Sequence, residues 1–144
     1  MAAVNLVKSI YTGSDVTSLG EIASGDTVVI PAGSSLIDPV VTGTISEDIY
    51  TITDGSSVDI DPGNGSIQMW TLGASRTPTA TNFAAGESVT LMIGDGTAYA
   101  VTWTSVAVTW VGGTAPTLPT SGYGVIVLWK VSTTIYGKYV GEVA

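Results

Sequence analysis

Histidine and cysteine are both absent from this chain, and only four cationic side chains, Lys8, Arg76, Lys130 and Lys138, stand among its 144 residues. Without cysteine there are no disulfide staples and no thiolate metal sites. Four scattered cations cannot follow a phosphate backbone, which is held by clusters of Lys and Arg, so no direct nucleic-acid partner is expected. Charged residues of both signs make up 11% of the chain, leaving few groups able to run a reaction. Long apolar runs are missing too. The longest, Val125–Trp129, falls far short of the roughly 20 residues of a membrane helix, so no membrane partner is expected. The opening stretch MAAVNLVKSIYTGSD has one Lys and no continuous apolar segment, and does not read as a secretory signal.

What is abundant is apolar and sheet-forming. Hydrophobic residues make up 44%, which is incompatible with a disordered chain, and a formal charge of −8 keeps so apolar a protein in solution. Its length suits one domain burying roughly two thirds of its unfolded surface. From Ser66 onward the chain reads SIQMWTL, SVTLMI, TAYAVTW, VAVTW, YGVIVLW and TTIYGKYV, with Gly, Pro, Asn and Thr at the joints. Val89, Leu91 and Ile93 alternate with polar or smaller neighbours, as do Tyr99, Val101 and Trp103. That period of two is the signature of strands with two distinct faces.

These phrases predict an all-β fold, an antiparallel sandwich or barrel with an extended N-terminal arm. Gly94-Asp95-Gly96 is a tight-turn signal, predicting a hairpin of Glu87–Ile93 with Thr97–Trp103. A second hairpin should join Tyr123–Lys130 to Thr133–Val140. The span 112–122 carries Pro116 and Pro119 and reads as a loop. Asp26–Pro31 and Asp48–Thr53 read as short strands. Ser14–Ile22, the one helical candidate, contains Gly20 and allows a turn or two at most. Residues 1–45 have a sparser texture and form the expected attachment arm or small subdomain, with 46–144 as the β domain. Within the arm, Val4, Leu6, Ile10 and Tyr11 lie in a strand-like phrase with no local partner, a template for another protein's sheet edge.

Two acidic positions invite chemistry. Asp59-Ile60-Asp61-Pro62-Gly63-Asn64 has the outline of a calcium loop, but Gly63, Asn64 and Trp70 stand where that motif wants ligands, glycine and a bidentate Glu. Asp59 and Asp61 would lie roughly 7 Å apart on one strand face, inside the spacing of glycosidase carboxylates. The flanking Pro-Gly-Asn-Gly offers no apolar pocket to raise an acid's pKa, so a solvated acidic turn is the expectation. Gly94-Asp95-Gly96 lacks the third glycine and the helix of a dinucleotide site. No catalytic residue, cofactor or metal is therefore assigned.

The aromatics can serve as a platform for sugar rings or as core and subunit contacts; the second reading is expected. Tyr123–Lys130 is apolar on both faces, Tyr123 and Trp129 on one side and Ile126 and Leu128 on the other. A small sheet covered on both faces needs more protein than one chain supplies. Trp110, Tyr123, Ile126, Leu128 and Trp129 are thus the expected contact residues of a homo-oligomer, taken as a homotrimer.

Arg76–Asn82 (RTPTATN), Val101–Trp103 (VTW), Trp110–Leu118 (WVGGTAPTL) and Tyr136-Gly137 together resemble a module of tailed-bacteriophage structural proteins, covering a little over half the chain. The resemblance implies a place on the outer surface of a virion, assembly in the host cytoplasm, no enzymatic activity and no cofactor. Such modules look like tail-fibre ends, adhesins and head decoration proteins. Only about 65 residues precede the module here, with no shaft-like repeat. That favours a capsid decoration (cement) protein bound to the major capsid protein or another virion protein. A tail-fibre or receptor-binding subunit touching host glycan is the alternative.

Overall fold

A computed structural model describes residues 7–12, 15–21, 43–94 and 99–143, and divides the chain into two compact units, Met1–Thr42 and Gly43–Ala144. Each unit is described by itself. In the first, β1 (Val7–Thr12) and β2 (Asp15–Glu21) form an antiparallel pair with Ile10 opposite Ser18 and Tyr11 opposite Val16. Two expectations change here. Within the span expected to be helical, Asp15–Glu21 is a strand, in keeping with the β-branched Val16 and Thr17. The phrase holding Ile10 and Tyr11 therefore has a local partner, so it is not a lone strand with both edges open. Val4, Leu6 and Asp26–Pro31 lie outside the described residues.

The second unit is all-β, as expected, and contains one six-stranded sheet. Its strands are β3 (Ile49–Ile52), β4 (Ile67–Thr71), β5 (Ser88–Gly94), β6 (Thr109–Trp110), β7 (Tyr123–Val131) and β8 (Thr134–Val143). They lie in the order β3-β4-β5-β7-β8-β6. The predicted β7–β8 hairpin forms, with its turn at Ser132-Thr133, one residue later than expected, and β5 pairs antiparallel with β7. The rest is parallel: β3 with β4, β4 with β5, and β6 with β8. Parallel neighbours need long crossovers, usually helical. Here the crossovers are irregular chain, with a single 3-10 turn at Pro62–Asn64.

The predicted hairpin of Glu87–Ile93 with Thr97–Trp103 does not form, because both edges of β5 are already taken. Its Val89, Leu91 and Ile93 stand opposite Leu128, Ile126 and Gly124 of the longer β7, a larger apolar ladder than Thr97–Trp103 could offer. The VTW phrase goes elsewhere. Val101 bridges Arg76, with Arg76 N–H donating to Ala100 O and Thr102 N–H donating to Arg76 O.

One sheet face carries the core. Gln68 and Trp70 of β4, Val89, Leu91 and Ile93 of β5, and Ile126 and Leu128 of β7 are buried there. The crossovers lie over them and add Val58, Ile60, Leu72, Phe83, Trp103 and Val106. Irregular chain thus replaces a second sheet as the covering layer. Gly137 makes this close packing possible at the β8 end, since a Cβ there would stand 2.6 Å from Val108 Cγ1 and 2.8 Å from Trp110 Cζ3.

Ile126 and Leu128 are fully buried within a single chain, which removes them from the expected subunit contacts. Leu128→Ala should therefore lower the unfolding free energy by about 2–5 kcal/mol. Denaturant titration at several protein concentrations checks this: the loss should appear at every concentration, as it belongs to the monomer's own core.

Candidate functional site

The two acidic positions are half-buried and hydrogen-bonded rather than free in solvent. Residues 54–61, in the crossover after β3, run beside residues 76–82, in the crossover after β4, and a short parallel bridge joins them. Ile60 N–H donates to Thr79 O at 2.8 Å, and Thr79 N–H donates to Val58 O at 2.9 Å. Side chains then fasten the bridge at three points.

Asp54 accepts from Trp70 Nε1 at 2.9 Å and from Gly73 N–H at 3.1 Å. It also forms a bidentate ion pair with Arg76, whose Nε lies 3.0 and 3.1 Å from its two oxygens and whose Nη2 also donates. Asp59 accepts from the Thr79 hydroxyl at 2.6 Å and from the Thr81 hydroxyl and amide at 2.7 and 2.9 Å. Asp61 accepts from Asn82 Nδ2 at 2.9 Å and, as cap of the 3-10 turn, from Gly63 N–H at 2.8 Å. Every polar side chain of RTPTATN except Thr77 is thus committed to an aspartate. Arg76–Asn82, one of the phrases that carry the resemblance, is a clasp that folds the chain.

Gln68 extends the clasp inward. Its Nε2 donates to Asp61 O at 2.7 Å and to Gly65 O at 2.9 Å, while the fully buried Oε1 has no partner. Asp59 and Asp61 act as struts, and among the described residues no three acidic, His or Cys side chains stand close enough to hold a metal.

Hydrogen bonding from Arg76 holds the Asp54 carboxyl down at about 2, against the ordinary 3.8, with Trp70 and Gly73 contributing and partial burial opposing. At Asp59 burial pushes the pKa up, but the bonds from Thr79 and Thr81 outweigh it and the value falls. A carboxyl whose pKa is lower in the folded state stabilises the fold above its unfolded value. That contribution is lost as pH falls through the folded one. Asp54→Asn should therefore lower stability at neutral pH and flatten the acid-unfolding curve between the ordinary carboxylate value and about 2. If the variant's acid curve has the same steepness as wild type, the Asp54–Arg76 bond is not what acid breaks.

The WVGGTAPTL phrase also builds structure. Trp110 meets Trp103 edge to face, ring centroids 5.3 Å apart. Gly112 and Gly113 turn the chain at positive φ, and Gly113 N–H closes on Trp110 O at 2.9 Å. The returning Pro116, Thr117 and Leu118 face Tyr99, Val101 and Trp103 across an open cleft of about 220 Å³.

The sheet's outward face is the second candidate. In register across it, Ile49, Ile67, Thr90, Val127 and Lys138 form one row, and Thr51, Met69, Met92 and Val125 the next. Beyond the first row Trp129 and Tyr136 stack at 5.9 Å with their planes 18° apart. Tyr123 lies on this face beyond the second row. Among the outward positions of these five strands Lys138 is the sole charged side chain, on a chain of formal charge −8. The expected contact residues thus separate. Tyr123 and Trp129 are half-buried on the open face, Trp110 is half-buried against Trp103, and Ile126 and Leu128 are internal. Ile67, Met69, Met92 and Tyr136 belong with the open face and were not anticipated. The alternation in SIQMWTL, SVTLMI and TTIYGKYV was their signal. Comparison with protein-family models, curated proteins and solved structures finds no match to this chain.

Proposed function

We propose that this chain is a non-enzymatic structural subunit of a tailed-bacteriophage virion, a decoration protein seated on the outer surface of the head and made in the host cytoplasm. The observation that carries the reading is the use to which the phage-like phrases are put. RTPTATN, VTW and WVGGTAPTL are spent on aspartate struts, aromatic packing and loop closure, and all lie in the unit Gly43–Ala144. In this reading that unit is a rigid exposed head, and Met1–Thr42 attaches it to the major capsid protein or another virion protein. Several copies joined together would raise the effective concentration of each further attachment.

The cleft between Tyr99, Trp103 and Pro116 favours a second reading. An open hollow with aromatic walls suits the face of a sugar ring, as a receptor-binding tail subunit would need.

One pair of measurements on the same particles separates the two. A subunit that binds only intact shells stabilises them by mass action. Particles stripped of this protein should release their genome at lower temperature, and adding the purified chain should restore the difference. Stripped particles that keep their thermal resistance but no longer adsorb to host cells would establish the tail reading instead.

A further inference from the structure

The 3-10 turn inside the clasp carries a reactive pair. Asn64 ends the turn at an exposed position, and Gly65 follows it. An asparagine amide is open to attack by the peptide nitrogen of the next residue, and a glycine there has no side chain to shield that nitrogen. Position 65 allows nothing else. Its φ of 151° belongs to glycine, and a Cβ would stand 2.7 Å from Asp48 O. The chain's other asparagines, Asn5 and Asn82, are followed by the bulky Leu6 and Phe83. The fold therefore places its most labile asparagine inside its own fastening.

The same contacts keep the pair apart. Gly65 N–H donates to Pro62 O at 3.1 Å, Asn64 N–H to Asp61 O at 3.0 Å, and Gly63 N–H to the Asp61 carboxylate at 2.8 Å. Gly65 is buried, and its carbonyl accepts from Gln68 Nε2 at 2.9 Å. To reach the Asn64 side-chain carbon, the Gly65 nitrogen must leave Pro62 O and Asn64 must rotate out of its helical dihedral angles. Both require the turn to open. A local opening has its own free energy, below that of global unfolding.

We propose that Asn64–Gly65 is a deamidation site latched by the clasp, and that its conversion is one-way. In the open turn the Gly65 nitrogen bonds to Asn64 Cγ and gives its proton to solvent. The Cγ–Nδ2 bond breaks and ammonia leaves. Water then opens the five-membered imide. Attack at the side-chain carbonyl gives aspartate; attack at the main-chain carbonyl gives isoaspartate, with the chain now running through the side-chain methylene.

Isoaspartate lengthens the backbone by one carbon–carbon bond, about 1.5 Å. The insertion falls between Asp61 O and Gly65 O, which Gln68 Nε2 holds at 2.7 and 2.9 Å. Gln68 is fully buried and its Oε1 has no partner among the described residues. Losing one acceptor leaves a second polar group of the same side chain buried and unpaired, which is costly. The new carboxylate also adds a charge of the same sign as neighbouring Asp61. A latch that closes over the amide does not close over the product. This concerns the chain alone, so it and the virion reading can fail separately.

The test incubates the intact purified chain in mildly alkaline buffer, folded and in denaturant. Mass spectrometry follows the change from amide to acid, and peptide mapping locates isoaspartate. In denaturant Asn64 should convert before Asn5 and Asn82. In the folded chain its conversion should be slower by about tenfold or more, the factor being set by how seldom the turn is open. Asp61→Ala, which removes the cap of the turn, should move the folded rate severalfold toward the denatured one. Isoaspartate chain, once refolded, should melt below both wild type and Asn64→Asp, which adds the charge without lengthening the backbone. Equal rates in the folded and denatured chain would overturn the proposal, as would isoaspartate chain as stable as Asn64→Asp. So would a folded Asp61→Ala that converts no faster, and the wild-type comparison decides even if that variant fails to fold.

Discussion

Two irregular crossovers cover the core of this protein, and the contact holding them in register is the clasp between three aspartates and one seven-residue phrase. Irregular chain has no ladder of its own, so each buried peptide group over the sheet must find a partner locally. The parallel bridge at Asp59 and Thr79 satisfies two of them, and the side chains of Arg76, Thr79, Thr81 and Asn82 hold it in place. Val58, Ile60, Pro78 and Phe83, all threaded between these polar links, are buried. The links are hydrogen bonds to ionised acceptors, stronger than neutral ones. They do with side chains what a helix does with its own backbone.

This arrangement gives the acidic composition two uses. Some carboxylates are internal struts, and others, such as Glu142, face water and keep an apolar chain dispersed. The sheet is divided in the same way. The inward positions make a monomer's core, and the outward positions of the same strands make a second apolar layer with Lys138 at its margin. A half-buried Val127 and a fully buried Leu128 are adjacent in sequence and face opposite sides of the sheet.

Much of the strand content was legible in the sequence, because alternation in SVTLMI, YGVIVLW and TTIYGKYV survives as the pleat of β5, β7 and β8. The hairpin of β7 with β8 was legible for the same reason, with a short turn between two runs of matching length. Pairing partners were less so. Thr97–Trp103 alternates as cleanly as β5, yet among its described residues only Val101 is bridged, to Arg76, since a strand's period says nothing about which edge remains free. The aspartates' partners were not seen because their donors lie about 20 residues away, at Thr79, Thr81 and Asn82. No local pattern links the two segments. The outward face was half visible: Tyr123 and Trp129 were singled out, while Met69, Met92 and Tyr136 required the register to be seen.

The order in which the strands leave the ribosome differs from the order in which they are needed. β3, β4 and β5 emerge first, but they are parallel neighbours, and the antiparallel partner of β5 follows only after the whole span 95–122. Most contacts outside the hairpins join distant stretches of chain, a topology that folds slowly because closure entropy is lost before the contacts form. No early fragment has a complete layer to rest on. The sheet can therefore be completed only once β7 and β8 have emerged to join its two halves. The same joint at β5 and β7 ties the halves together, so a force or a protease meets a sheet held at its centre.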